Sequence, residues 1–393
     1  MNAMYKPAGQ HNLAQGFLWP ALAAASASEF AATAARHFAN LAVGLDGPTA
    51  EEPQWATPHA IALALESVRL RDFSTGVGAP GVGRVPTLVC APFALHSAVI
   101  SDLAAGHSLV AALRAAGLTR LFVTDWRSAR PDMRYRGLDA YLADLNVLVD
   151  EIGAPVDLIG MCQGGVMALI YAARFPGKVR KLVLAGAPID VAAEPSALSR
   201  VAATTPLAVF HEIVRLGDGL MPGRRVLKLW APDAVETEDV RRLLQTEAPT
   251  SSAAASQLEE RFRKWHAFTL DLPGRFFLET VEKLYRRNEL AGGDFVALGQ
   301  TIDLSAMRAP LYLLAARHDE LVAPAQLFAT ERLVGTAASD LCKATVPCRH
   351  LGLFMGKHIL REVWPAVVRW LQEPARVRQQ ERHGELRAGA AAC

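Results

Sequence analysis

"LIGMCQGGVMALIYAARFP", residues Leu158 to Pro176, decides how the rest of the chain is read. An apolar run ends at Gly160, a tight turn follows, and a long apolar stretch without a breaker begins near Gly164. The frame Gly160-x-Cys162-x-Gly164 is that of a strand–turn–helix nucleophile motif, with a thiol where a hydroxyl is usual. A side chain at either glycine would crowd such a turn. The turn aims the sulfur away from the sheet and toward the free N–H groups of the helix, whose dipole favours a thiolate. A cysteine met alone is more often a small buried hydrophobe. The strand–turn–helix context is what reads Cys162 as a nucleophile.

Outward from that turn the pattern alternates. "TLVCA" (87–91) is a short apolar strand and "HSLVAALRAAG" a helix stopped by Gly117. "RLFVTDW" (120–126) is the next strand. Leu138, Tyr141, Leu142, Leu145, Leu148, Val149 and Ile152 then recur at helical spacing and predict one apolar helix face. "VDLIG", "RKLVLAGAP", "APLYLLAARHDE" and "KATVPCRH" are further strands, and "HILREVWPAVVRWL" closes the domain. Strands alternating with helices of this length predict an α/β fold with a mostly parallel sheet covered on both faces. Between about Asp190 and Gln300 the rhythm gives way to helices separated by prolines. This stretch carries Phe210, Trp230, Trp265, Phe268, Phe276 and Phe277. It reads as a helical cap over the carboxyl edge of the sheet.

A nucleophile on this turn requires an acid and then a histidine, in that order, at the ends of later strands. Asp319 follows "LYLLAAR" and His350 follows "KATVP", so both fall where the order demands. Taken singly, Asp319 also suits a helix N-cap, and His350 a loop histidine. Asp125 is a weaker candidate acid, Glu320 adjoins Asp319, and His358 reads as a surface residue. Two N–H donors are needed for the developing oxyanion. Gln163 supplies one, and Phe93 or Ala94, in the loop after "TLVCA", the other. His96 and His107 suit pocket or structural roles equally. The literal G-x-G-x-x-G at Gly76, Gly78 and Gly81 leads through Val85-Pro86 into a strand, whereas a dinucleotide fingerprint must open a helix. It is read as a coincidence.

Composition narrows the function. With 41 basic and 39 acidic residues, a net charge of +2 and no basic stripe interleaved with aromatics, no nucleic-acid footprint is expected. The five cysteines are irregularly spaced and form no zinc pattern, so no metal is expected and a reducing, cytoplasmic compartment is. "FLWPALAAASAS" (17–28) holds a cleavage-like Ala25-Ser26-Ala27. Pro20 and the long, weakly charged stretch before it favour an alanine-rich helix over a targeting segment. No run approaches the ~18 apolar residues of a membrane span.

The box Gly160-x-Cys162-x-Gly164-Gly165 resembles that of the polyhydroxyalkanoate synthases, as does "RNELAGGDFVALGQTIDLSAMRAPLYLLAARHDELVAP". "ATPHAIALALESVRLRDFS", Met161-Cys162-Gln163 and "RHLGLFMGKH" are similar to intracellular polyhydroxybutyrate depolymerases, which also use cysteine. The two resemblances together span roughly residues 55–372. They imply an α/β-hydrolase fold with Cys162, Asp319 and His350 as its triad. The first expectation is an ester hydrolase of 3-hydroxyalkanoate polyesters, working at a polymer-granule surface without a cofactor. The alternative is a synthase-type acyltransferase with a coenzyme A thioester as substrate, and a third reading keeps the fold as a silent granule protein. The domain expectation is an N-terminal helical or extended segment (1–72), a core (73–189 and 301–373), a cap (190–300) and a flexible tail (374–393).

Overall fold

Short runs of β-branched and leucine residues bounded by Gly and Pro build the eight strands of one sheet. They are β1 (Ala60–Ala64), β2 (Val68–Asp72), β3 (Thr87–Cys90), β4 (Leu121–Trp126), β5 (Val156–Met161), β6 (Val179–Ala185), β7 (Leu311–Ala316) and β8 (Leu341–Val346). The computed structural model describes residues 50–75, 85–230, 240, 244 and 252–374. The alanine-rich 17–28 stretch, Gly76, Gly78 and Gly81, and the tail beyond residue 374 lie outside the described residues.

Spatial order is β1-β2-β4-β3-β5-β6-β7-β8. The β1–β2 and β2–β4 pairs are antiparallel and every other pair is parallel. Every residue of β3, β4 and β5 is buried, as parallel strands covered on both faces require. Side chains alternate across the sheet. Leu88 and Leu158 therefore join the core on one face, and Val89 and Ile159 the core on the other.

Helices α1 (Leu109–Ala115), α2 (Leu138–Ile152) and α3 (Gln163–Arg174) cross between strands. The buried residues of α2 are the seven whose spacing predicted its apolar face. One expectation changes. Residues 60–72 are a β-hairpin paired into the sheet through β4, so the sheet begins at Ala60 and not after residue 72. The closing segment forms two helices, Lys357–Glu362 and Trp364–Gln372, because Pro365 fits the first turn of a new helix better than the interior of a continuous one.

The insertion contains α4 (Ala197–Thr204), α5 (Leu207–Leu216), α6 (Gly223–Trp230), α7 (Ser252–Ala267) and α8 (Gly274–Glu279), which runs into a π-helical turn, Thr280–Arg286. Its aromatics serve two packing roles. Phe210 and Phe277 pack edge to face inside it, 5.8 Å apart. Phe276 and Trp265 pack against the loop after β3, 5.2 Å from Phe93 and 4.5 Å from His96.

Asp125 on β4 turns away from the site and pairs with Arg71 on β2, 2.8 Å from Nε and 2.6 Å from Nη2, both side chains buried. Burial pushes the Asp125 carboxyl up and Arg71 opposes it. Removing one partner strands a buried charge. Arg71→Met is expected to cost about 3–5 kcal/mol by urea denaturation. The Arg71→Met/Asp125→Leu pair should recover most of that loss. A single variant within about 0.5 kcal/mol of wild type, the range of an ordinary surface change, would contradict this anchoring.

Candidate functional site

Cys162 occupies the turn between β5 and α3 with φ 50° and ψ −126°, a conformation L-residues avoid. Its N–H donates to Ala185 O at 2.9 Å, and its carbonyl accepts from Gly165 N at 2.9 Å. Close packing explains the glycines. A Cβ on Gly164 would sit 2.7 Å from Ala91 O, and one on Gly165 2.6 Å from the Ala187 Cβ. A Cβ on Gly160 would overlap Gly165 Cα. The helix can lie this near the sheet only without those side chains.

The loops after β7 and β8 bring the other two residues to the same edge. His350 Nδ1 lies 2.7 Å from Asp319 Oδ2, and both side chains are 2% exposed. The other oxygen of Asp319 accepts from Leu321 N at 2.9 Å and Val322 N at 2.8 Å. Asp319 is not a helix N-cap, since the next helix, Pro324–Phe328, is capped at Ala323; its two backbone bonds pin the loop that aims the carboxylate at His350. Glu320 accepts from the His350 backbone N–H at 3.2 Å, steadying the loop. The His350 ring also lies close enough to Cys162 for the two to interact electrostatically, so sulfur, imidazole and carboxylate gather at one edge. Burial opposes a charge on His350, but Asp319 and Cys162 outweigh it and hold the imidazolium well above its ordinary 6.5.

Of the anticipated oxyanion donors, the backbone N–H groups of Gln163 and Ala94 have no acceptor among the described residues. Phe93 is a correction: its N–H already donates to Gln163 Oε1 at 2.9 Å. The Gln163 Nε2 left over is buried without a partner. His107 is structural, its Nδ1 2.8 Å from Met355 O. His96 packs at a tilt on Trp265, and burial lowers its pKa to about 3, so it stays neutral. His358 is exposed. Tyr285, which no spacing argument reached, comes from the π-helical turn close enough to Cys162 for the sulfur's charge to act on its phenol. Among the described residues no cluster of three potential metal ligands occurs. Nucleophile, base and orienting acid in one line, with two free N–H groups beside them, suit acyl transfer through a covalent thioester.

Residues 109–357 match the family model described as the alpha/beta hydrolase fold. The chain is 30% identical over 289 residues to the poly(3-hydroxyalkanoate) polymerase subunit PhaC of Synechocystis sp., covering 69% of this chain and 74% of the relative. The same-named subunit of Allochromatium vinosum is 27% identical over 311 residues, 75% of this chain and 83% of that one. Among solved structures, a thioesterase domain from the curacin biosynthetic pathway aligns over 80% of this chain and 99% of its own, at 15% identity and TM-score 0.48.

The charge arrangement fixes a titration. His350 is expected to keep its second proton as pH rises through 6.5 and to release it only at a higher pH. Asp319→Asn removes the first attraction while burial remains, so its titration should fall. Nitrogen-edited NMR of the imidazole reads both. An unchanged or raised value in Asp319→Asn would contradict the pairing.

Proposed function

The chain belongs to the α/β-hydrolase superfamily and, within it, to the poly(3-hydroxyalkanoate) polymerase family, and from that premise we propose that it is a cysteine acyltransferase that elongates 3-hydroxyalkanoate polyesters from 3-hydroxyacyl-coenzyme A. The observation that carries this reading is Cys162 on a strained strand–helix turn, electrostatically coupled to the hydrogen-bonded His350–Asp319 pair. Polymerase relatives over more than two thirds of the chain favour the acyltransferase alternative over the hydrolytic first expectation.

In this reading the Cys162 thiolate attacks the thioester carbonyl, and the oxyanion is met by the N–H groups of Gln163 and Ala94. The C–S bond to coenzyme A breaks, and His350 returns a proton to the departing thiolate. Thioester exchange onto sulfur is close to balanced, whereas passing the acyl group from sulfur to a chain-end hydroxyl is downhill. In that second step His350 takes the hydroxyl proton as the new ester bond forms, and the Cys162 thiolate is released. Asp319 holds the imidazole ring in the required orientation throughout. The cap helices from Asp190 to Gln300 serve as a lid that keeps water from the acyl-enzyme. Water in place of the hydroxyl would turn the same site into a depolymerase, the outcome that "RHLGLFMGKH" around His350 would favour.

Among the described residues no helix is long and apolar enough to cross a membrane. The substrate is a hydroxyacyl thioester, and the growing polymer, at a granule surface, is the partner.

Incubation with 3-hydroxybutyryl-coenzyme A separates the outcomes. Wild type should release coenzyme A and accumulate insoluble polyester, and Cys162→Ala should lose at least ~10³-fold of that rate, as expected for loss of a covalent nucleophile. Release of free 3-hydroxybutyrate without polymer would replace this reading with hydrolysis.

A further inference from the structure

Gln163 is the first residue of α3, and its side chain reaches the loop after β3. There its Oε1 accepts from Phe93 N at 2.9 Å, joining segments 70 residues apart. An N–H can only donate, so this bond fixes which end of the amide faces the loop. The other end, Nε2, is buried without a partner, and the residue as a whole is 6% exposed. A buried amide left half-satisfied costs stability, and a methionine would fill the same space without that cost. Core packing therefore does not account for a glutamine here. The acceptor it offers to Phe93 does.

That acceptor acts on a loop whose other restraints come from elsewhere in the molecule. Ala91 N donates to Thr124 Oγ1 on β4 at 3.0 Å, and Pro92 has no N–H to place. The Phe93 ring lies 4.8 Å from Tyr141 and 5.2 Å from Phe276. Leu95 O accepts from Leu270 N of the insertion at 2.8 Å. The Gln163 bond fixes the peptide plane before Phe93, and the Leu270 bond fixes the plane after Leu95. The plane that carries the unpaired Ala94 N–H lies between the two. Of these hydrogen bonds only the one from Gln163 comes from α3, whose first backbone N–H is the other oxyanion donor.

Resting on the cysteine acyl-transfer reading, we propose that the Gln163 side chain is a positioning residue that sets the spacing of the two oxyanion donors: Oε1 holds the loop after β3 so that the Ala94 N–H and the Gln163 N–H converge on one oxygen. The side chain touches no reacting atom and moves no proton. Its effect falls on the tetrahedral oxyanion, which exists in the transition state and not in the bound thioester. It therefore acts on the rate of acylation and not on substrate binding.

The test measures first-turnover coenzyme A release over a range of 3-hydroxybutyryl-coenzyme A concentrations, in wild type and Gln163→Met. The variant keeps the side chain's length and removes the acceptor. Its maximal rate should fall about 10- to 100-fold, the scale of a misplaced donor, while the half-saturating concentration stays within about three-fold. Cys162 is probed in parallel with methyl methanethiosulfonate. The thiolate attacks the sulfenyl sulfur, a disulfide forms and methanesulfinate leaves, with no oxyanion at any stage. That rate should stay within about two-fold of wild type, because it depends on the thiolate and its access alone. Equal loss in both reactions, an unchanged acylation rate, or a loss confined to the half-saturating concentration would overturn the positioning role and leave the polymerase reading standing. A wild type that releases no coenzyme A would overturn both.

Discussion

Helix α3 lies against β3 and β5 so closely that a methyl group at Gly164 or Gly165 would press into Ala91 O or the Ala187 side chain. That approach sets the rest of the site. It forces the chain to reverse over one residue, Cys162, at a positive φ, and so lifts the sulfur above the carboxyl edge of the sheet. It also points the first N–H groups of α3 into the space where an acyl oxygen would lie. The strain at Cys162 is of the order of 1–3 kcal/mol and persists because the sheet and helix on either side over-determine it.

Around that turn the protein places charges that need one another. His350 and Asp319 are both almost wholly buried, where a lone charge would be expensive. Asp319 is satisfied by two backbone N–H groups on one oxygen and the imidazole on the other. His350 is satisfied by Asp319 on Nδ1, with Cys162 near enough to favour its charged form. The same closure that makes the trio tolerable keeps each member in one orientation. The cap adds the fourth side, with Phe276 and Trp265 on the loop after β3.

Much of this was legible in the chain because it is written locally. The seven-residue face of α2, the glycines of the nucleophile turn, and the placement of Asp319 and His350 after strands all follow from short-range pattern. What escaped depends on contacts between distant segments. The β1–β2 hairpin was placed outside the core because the chain between it and β3 reads as a Gly/Pro-rich connector. Arg71 can be buried there because Asp125 on β4 pairs with it and Trp55 lies against its guanidinium. Phe93 fails as an oxyanion donor because the Gln163 side chain reaches back to its N–H, which no spacing rule reports. The hydrolase-first expectation rested on the ordered triad and on depolymerase-like stretches on both sides of it, and the wider likeness to polymerase subunits outweighs it.

The central claim is that Cys162 carries the acyl group. Intact-protein mass spectrometry after rapid acid quenching of a mixture with 3-hydroxybutyryl-coenzyme A tests it most directly, with the adduct located by peptide mapping. The account predicts wild-type protein shifted by one or more 3-hydroxybutyryl units, localised to the Cys162 peptide, and an unshifted Cys162→Ala. Turnover with no adduct on Cys162, or an equal adduct in Cys162→Ala, would contradict it.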